Sequence, residues 1–134
     1  MQRDTSKVVF TNGCFDIIHR GHLELLRYCS GIGRVIVGIN SDVSVRRLKG
    51  HQRPINSQED RAFHLRSIKY VDEVFVFCED TPYDLIKKIM PDVIVKGGDY
   101  KKEEVVGHDL AEILIYEYIH GYSTTETIEN ITSR

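Results

Sequence analysis

The chain has 134 residues, 41% of them hydrophobic and 28% charged, with a formal net charge of −2. That length suits one compact domain that buries about two-thirds of the surface its unfolded form exposes. The near-balanced, interspersed charge gives a polyanion or a lipid surface nothing to hold, so neither nucleic acid nor membrane is expected as a partner. No apolar run reaches bilayer length, and the polar opening from Met1 to Lys7 has no core of a secretory signal, so a cytoplasmic location is expected. Cys14, Cys29 and Cys78 are odd in number and widely spaced, which fits reduced, space-filling thiols better than a disulfide frame or a zinc site.

In chain order, the apolar run Val8 to Thr11 reads as a buried strand and is followed by a helical pattern from about His22 to Ser30, closed by Gly31 and Gly33. A second strand, Val35 to Ile39, leads into Asn40-Ser41-Asp42, which can cap a helix over Val43 to Lys49. Pro54 interrupts the next loop, and Ser57 with Asp60 has the form of a capping box for a helix over Gln58 to Tyr70. After a third strand, Val74 to Phe77, Thr81 as cap and Pro82 as first helical residue predict a helix over Tyr83 to Met90, stopped by Pro91. The last strands are Val93 to Val95 and Ile113 to Tyr116. Between them the mixed charges of Lys101 to Glu104 read as a solvated helix face, and a final helix is expected over Thr124 to Ile131. Strands alternating with helices predict α/β crossover units. The fold expected over residues 1–134 is thus a single Rossmann-like domain, a doubly wound five-stranded parallel sheet with helices on both faces.

Ligands of such sheets bind beyond the carboxyl ends of the strands, where the winding reverses. There the chain reads Thr11-Asn12-Gly13-Cys14-Phe15-Asp16-Ile17-Ile18-His19-Arg20-Gly21-His22, a loop running into a helix N-terminus, which is an anion site because unpaired N–H groups and the helix dipole point the same way. His19 and His22, three apart, are expected on one face of the first turn, where imidazolium groups would stabilise charge on a phosphoryl oxygen. Gly21 between them would let backbone approach the ligand. Asp16 is expected to hold the loop backbone through an Asx-type bond rather than to act on substrate. Cys14 lies in the motif with no base placed beside it, so a thiol nucleophile is not expected.

The run G-x-F-D-x-x-H-x-G-H resembles the signature of the nucleotidyltransferase superfamily that includes the cytidylyltransferases. The resemblance continues through Asn40-Ser41-Asp42, Arg47-Leu48-Lys49-Gly50, Arg53-Pro54-Ile55-Asn56, Val71-Asp72, Val95 to Tyr100 and Gly121-Tyr122-Ser123-Thr124-Thr125, nearly the whole chain. In this combination it looks like the D-glycero-β-D-manno-heptose 1-phosphate adenylyltransferases, without the sugar-kinase domain that some of them carry. The resemblance implies in-line attack by a substrate phosphate oxygen on the α-phosphorus of ATP, with Mg2+ carried mainly by the triphosphate and no metal ligand from protein side chains. It implies His19, His22 and Lys49 as catalytic residues. Nucleotide-binding roles would fall to Asn12, Gly13, Cys14, Phe15, His19, Gly21, His22, Gly98, Asp99, Ser123, Thr124 and Thr125, the last three at the outer phosphates. Asp42, Arg53 and Lys96 would contact the phosphorylated sugar, and a homodimer is implied.

Two other readings stay open on sequence. One is a CTP-dependent enzyme acting on glycerol 3-phosphate, whose family usually has an arginine where this chain has Tyr118. The other is a nucleotide-binding module without catalysis, which leaves the second histidine and the Ser-Thr-Thr cluster unexplained. A dinucleotide-dependent oxidoreductase is disfavoured because G-x-G-x-x-G is absent from the first turn.

Overall fold

The computed structural model describes residues 4–117. The expected helix over Thr124 to Ile131 and the cluster Ser123 to Thr125 lie outside them. Five parallel strands, β1 (Val8–Gly13), β2 (Arg34–Asn40), β3 (Glu73–Phe77), β4 (Val93–Gly97) and β5 (Glu112–Tyr116), form one sheet in the order β3-β2-β1-β4-β5. Between them run α1 (Arg20–Ile32), α2 (Asp42–Lys49), α3 (Gln58–Arg66), α4 (Tyr83–Ile89) and a single 3-10 turn (Lys102–Glu104). The winding reverses between β1 and β4, as the doubly wound reading requires. Among the described residues no helix is long and apolar enough to cross a membrane.

Alternation along the strands makes two apolar layers. Val9, Val35, Val37, Ile39, Val93 and Val95 meet Leu25, Leu26 and Cys29 of α1 and Ala62 and Leu65 of α3 on one face. Phe10, Ile36, Ile94 and Ile113 meet Ile86 of α4 and Val105 on the other. Burying each such side chain contributes about 1.5–3 kcal/mol, which is what docks helices too short to stand alone. Aspartates at the amino ends of β3 and β4 tie neighbouring strands: Asp72 accepts the Val35 N–H and Asp92 the Val8 N–H, both at 2.8 Å.

Several boundaries differ from the sequence expectation. β1 runs on to Gly13 because Asn12 and Gly13 keep their pairing with Gly38 and Ile39. α1 begins at Arg20 with His19 as its cap, and Gly31 lies inside it. α3 stops at Arg66: Ser67 caps it, and the chain folds through a turn that sets Ile68, Tyr70 and Val71 against the same core. Pro82, not Thr81, is the cap position of α4, while Thr81 Oγ1 accepts the Tyr83 N–H at 3.5 Å. The exposed Lys101 to Glu104 stretch forms the 3-10 turn rather than an α-helical face.

The sheet opens where the site is expected. β1 pairs with β4 only at Val9–Val93 and Phe10–Ile94, whereas β1 follows β2 to Gly13 and β4 follows β5 to Gly97. Asn12, Gly13, Lys96 and Gly97 therefore border a cleft between two strands that have parted.

Candidate functional site

The loop leaving β1 is shaped by Phe15. Its backbone is left-handed, φ 49°, which costs a non-glycine residue on the order of 1 kcal/mol. The buried ring offsets that cost by packing against Gly13, where an added Cβ would lie 3.2 Å from it, and against the His22 ring, with centroids 4.9 Å apart. Gly13 and Phe15 thus act together to prop His22 from below.

His19 and His22 meet as a stacked pair, ring centroids 3.8 Å apart, through a reciprocal cap. His19 Nδ1 accepts the Gly21 N–H at 3.0 Å, and His22 Nδ1 accepts the His19 N–H at 3.2 Å. A ring nitrogen that accepts carries no proton, so each imidazole is neutral with its proton on Nε2. Burial first, then the repulsion the two stacked rings would feel if both were protonated and the Lys49 charge, hold His22 down to about 3. This corrects the expectation of imidazolium donors: the pair offers two neutral Nε2–H groups. The Gly21 N–H is given to the His19 ring, so what Gly21 would bring to a ligand is close approach without a Cβ.

Asp16 is buried, and its partners lie far along the chain rather than in its own loop. Its carboxylate accepts the N–H groups of Ile55 (2.8 Å) and Asn56 (2.8 Å) and the Arg53 Nε (3.3 Å), while Asn56 Nδ2 donates to the Asp16 carbonyl at 2.6 Å. The expected role in holding backbone stands, but the local Asx-type bond does not. Arg53, expected at the acceptor, is thereby drawn in, and its Nη2 is buried with no hydrogen-bond partner among the described residues.

Sequence reasoning missed Arg61. It is 0% exposed and donates to the carbonyls of Cys14 (2.8 Å), Asn40 (2.8 Å) and Asn56 (3.0 Å) and to the Asp42 carboxylate (2.8 Å). One guanidinium therefore ties the loop after β1, the end of β2 and the loop before α3. Asp42, expected at the sugar, gives an oxygen to this tie. The buried Asn40 amide extends it, donating to Ser44 Oγ at 3.0 Å, which donates to the Glu79 carbonyl at 3.0 Å. The available signal was spacing: Arg61 stands four before Leu65, on the buried stripe of α3.

Cys14 stays a thiol. Burial pushes it up despite the charges of Lys49, Arg61 and Arg53, and its Sγ lies 3.8 Å from Asn40 Oδ1. Lys49, on the exposed end of α2, is near enough for its charge to act on Cys14, His22 and Lys96. Lys96 is half-buried, held below the usual lysine range mainly by burial, and lies 5.1 Å from the Tyr100 ring centroid. Gly98 and Asp99 follow β4 at the same sheet edge, with Gly98 at φ 118°. Cations and neutral N–H donors thus surround the cleft, an arrangement suited to a polyphosphate.

The cytidylyltransferase-like family model matches residues 10–130. Curated relatives named Bifunctional protein HldE align over almost all of the chain. The protein of Wolinella succinogenes is 57% identical over 127 residues, 93% of this chain and 27% of its own. That of Nitratiruptor sp. is 55% identical over 129 residues, 95% of this chain and 28% of its own. The chain thus spans less than a third of these relatives. Among solved structures, a lipopolysaccharide core biosynthesis protein from Thermoplasma volcanium GSS1 superposes with TM-score 0.70 at 24% identity, covering 84% of this chain and 96% of that one. A pantoate-beta-alanine ligase from Francisella tularensis superposes with TM-score 0.67 at 18% identity, covering 95% and 66%. Both share the fold. With the signature loop, the reversed winding at the cleft and a family match across most of its length, the chain belongs to the cytidylyltransferase-like family.

Proposed function

We propose that the chain moves AMP from ATP to D-glycero-β-D-manno-heptose 1-phosphate, giving ADP-heptose and pyrophosphate in one in-line displacement. The observation that carries this reading is the stacked His19–His22 pair, two neutral Nε2–H donors at the positive end of α1, beside a cleft bordered by Lys96 and within reach of the Lys49 charge. An oxygen of the acceptor's phosphate forms a bond to the α-phosphorus, and the bond from that phosphorus to the β-bridging oxygen breaks. The nucleophile is already ionised near neutral pH and pyrophosphate leaves without being protonated first, so neither a general base nor a general acid is required. What the site must supply is position and stabilisation of developing charge, which is what hydrogen-bond donors and lysines do.

Mg2+ belongs to the triphosphate in this reading, where it neutralises phosphate charge. The Asp16 and Asp42 carboxylates are engaged by Arg53 and Arg61, so the triphosphate's own oxygens would hold the ion. ATP and a heptose phosphate are favoured over CTP and glycerol 3-phosphate by the resemblance at Arg53-Pro54-Ile55-Asn56 and Lys96-Gly97-Gly98-Asp99-Tyr100, and by kinship with the HldE proteins. A cytoplasmic homodimer is part of the proposal. Phe63 on α3 and Phe75 and Val76 on the edge strand β3 are each exposed, apolar groups at a sheet edge that a second copy would cover.

The test is pyrophosphate release over a matrix of ATP and CTP against heptose 1-phosphate, hexose 1-phosphates and glycerol 3-phosphate, with sedimentation of the same preparation. Fastest turnover with ATP and the heptose phosphate, on a particle of twice the chain mass, is expected. Faster reaction of CTP with glycerol 3-phosphate would overturn the substrate assignment, and a monomer would remove the dimer.

A further inference from the structure

The two sides of the cleft differ in what they offer. Val9, Val93 and Val95 face α1 and α3, while Phe10 and Ile94 face α4. Because side chains alternate along a strand, Asn12 and Lys96 project to the α4 side, away from His19 and His22 at the start of α1. On that side they line a cavity of about 130 Å3 with Pro82, Tyr100, Glu104 and Val105. In an in-line displacement the attacking oxygen approaches opposite the leaving pyrophosphate. If the outer phosphates lie over the start of α1, the acceptor must arrive from the α4 side.

We propose that this cavity holds the polyhydroxylated part of the acceptor, so that Asn12 and Glu104 determine specificity for a sugar phosphate. The inference rests on the nucleotidyltransferase reading given above and moves Asn12 from the nucleotide to the acceptor. Among the described residues the Asn12 amide makes no hydrogen bond, and the Lys96 ammonium makes no hydrogen bond or ion pair, its Nζ lying 5.1 Å from the Tyr100 ring centroid. Amide, ammonium and carboxylate together offer both donors and acceptors, which matches hydroxyl groups, since each hydroxyl both gives and takes a hydrogen bond. The Glu104 carboxylate, fixed by the Lys101 N–H at 3.2 Å, repels a phosphate and so selects the neutral portion of the acceptor.

Tyr100 completes the cavity. The left-handed turn at Gly98 brings its ring back over Lys96, and a Cβ on Gly98 would lie 2.9 Å from that ring. An aromatic face with Pro82 and Val105 opposite suits the C–H surface of a sugar. The volume accommodates several waters, or a few hydroxylated carbons in their place.

The experiment is steady-state kinetics of the full chain with ATP and heptose 1-phosphate, comparing the parent with Asn12→Ala and Glu104→Gln. Each variant is expected to raise the acceptor KM about tenfold, the loss of roughly one good hydrogen bond, with the ATP KM within about twofold of the parent. Glu104 is exposed on the 3-10 turn, so its substitution leaves the fold in place. An unchanged acceptor KM in both variants, with the parent active on the sugar phosphate, overturns the cavity assignment alone. A rise in the ATP KM instead assigns the cavity to the nucleotide and overturns it equally. A parent inactive on every sugar phosphate removes the underlying reading and this inference together.

Discussion

At the scale of single residues, the neutral histidine pair is the feature on which most depends. In the proposed reaction its donors are needed chiefly as charge develops, so His19→Ala and His22→Ala should each lower kcat about 100-fold or more and change ATP affinity much less. Near-normal turnover in both would remove the pair from the chemistry. The buried His22 ring also couples folding to pH. In the unfolded chain it takes a proton near 6.5, in the folded chain only near 3, so between those values the unfolded state binds more protons. Its contribution to stability is full above about pH 6.5 and drains away as pH falls toward 3. The melting temperature of His22→Gln should therefore fall less steeply than the parent's between pH 6.5 and 4, and parallel curves would show that the ring protonates in the folded state. The sequence revealed the pair's position through its motif but not its charge state, because charge state is set by burial and by which nitrogen accepts. Arg61 was hidden for a related reason: a guanidinium on a buried stripe becomes intelligible only once three carbonyls are seen to converge on it.

At the scale of elements, the strands were legible because a parallel strand buried on both faces reads as a run of Val, Ile and Phe. Helix ends were less so. The apolar residues Ala62, Leu65 and Ile68 keep helical spacing past Arg66, yet the chain leaves the helix at Ser67 and packs Ile68 partly buried from a turn, and spacing alone does not separate these cases. The loops around the site are fixed by two ion pairs with one fully buried member each, Asp16 with Arg53 and Arg61 with Asp42. Removing the buried Arg61 guanidinium leaves three carbonyls and the Asp42 carboxylate without their donor, so Arg61→Met should cost about 3–5 kcal/mol in urea unfolding. Asp16→Asn, which keeps the shape but loses the charge accepting the Ile55 and Asn56 N–H groups, should cost about 1.5–3 kcal/mol. Unchanged unfolding with abolished catalysis in Asp16→Asn would mean that the carboxylate acts on substrate rather than on the framework.

At the scale of the whole molecule, strand order places the site. Reversal of winding between β1 and β4 releases their carboxyl ends, and each ladder's continuation on its outer side, β1 with β2 and β4 with β5, keeps the cleft open. Alternation of side chains then gives its two walls different chemistry, imidazoles on the α1 side and Asn12 and Lys96 on the α4 side. Two walls around one phosphorus are what a direct displacement requires, with entry from one side and departure from the other. The stereochemical course at that phosphorus tests this most directly, using ATP made chiral at the α-phosphate with sulfur and the product's configuration read by phosphorus NMR. Direct in-line transfer predicts inversion. Retention would mean two successive displacements through a covalent nucleotidyl-enzyme, and would contradict the account.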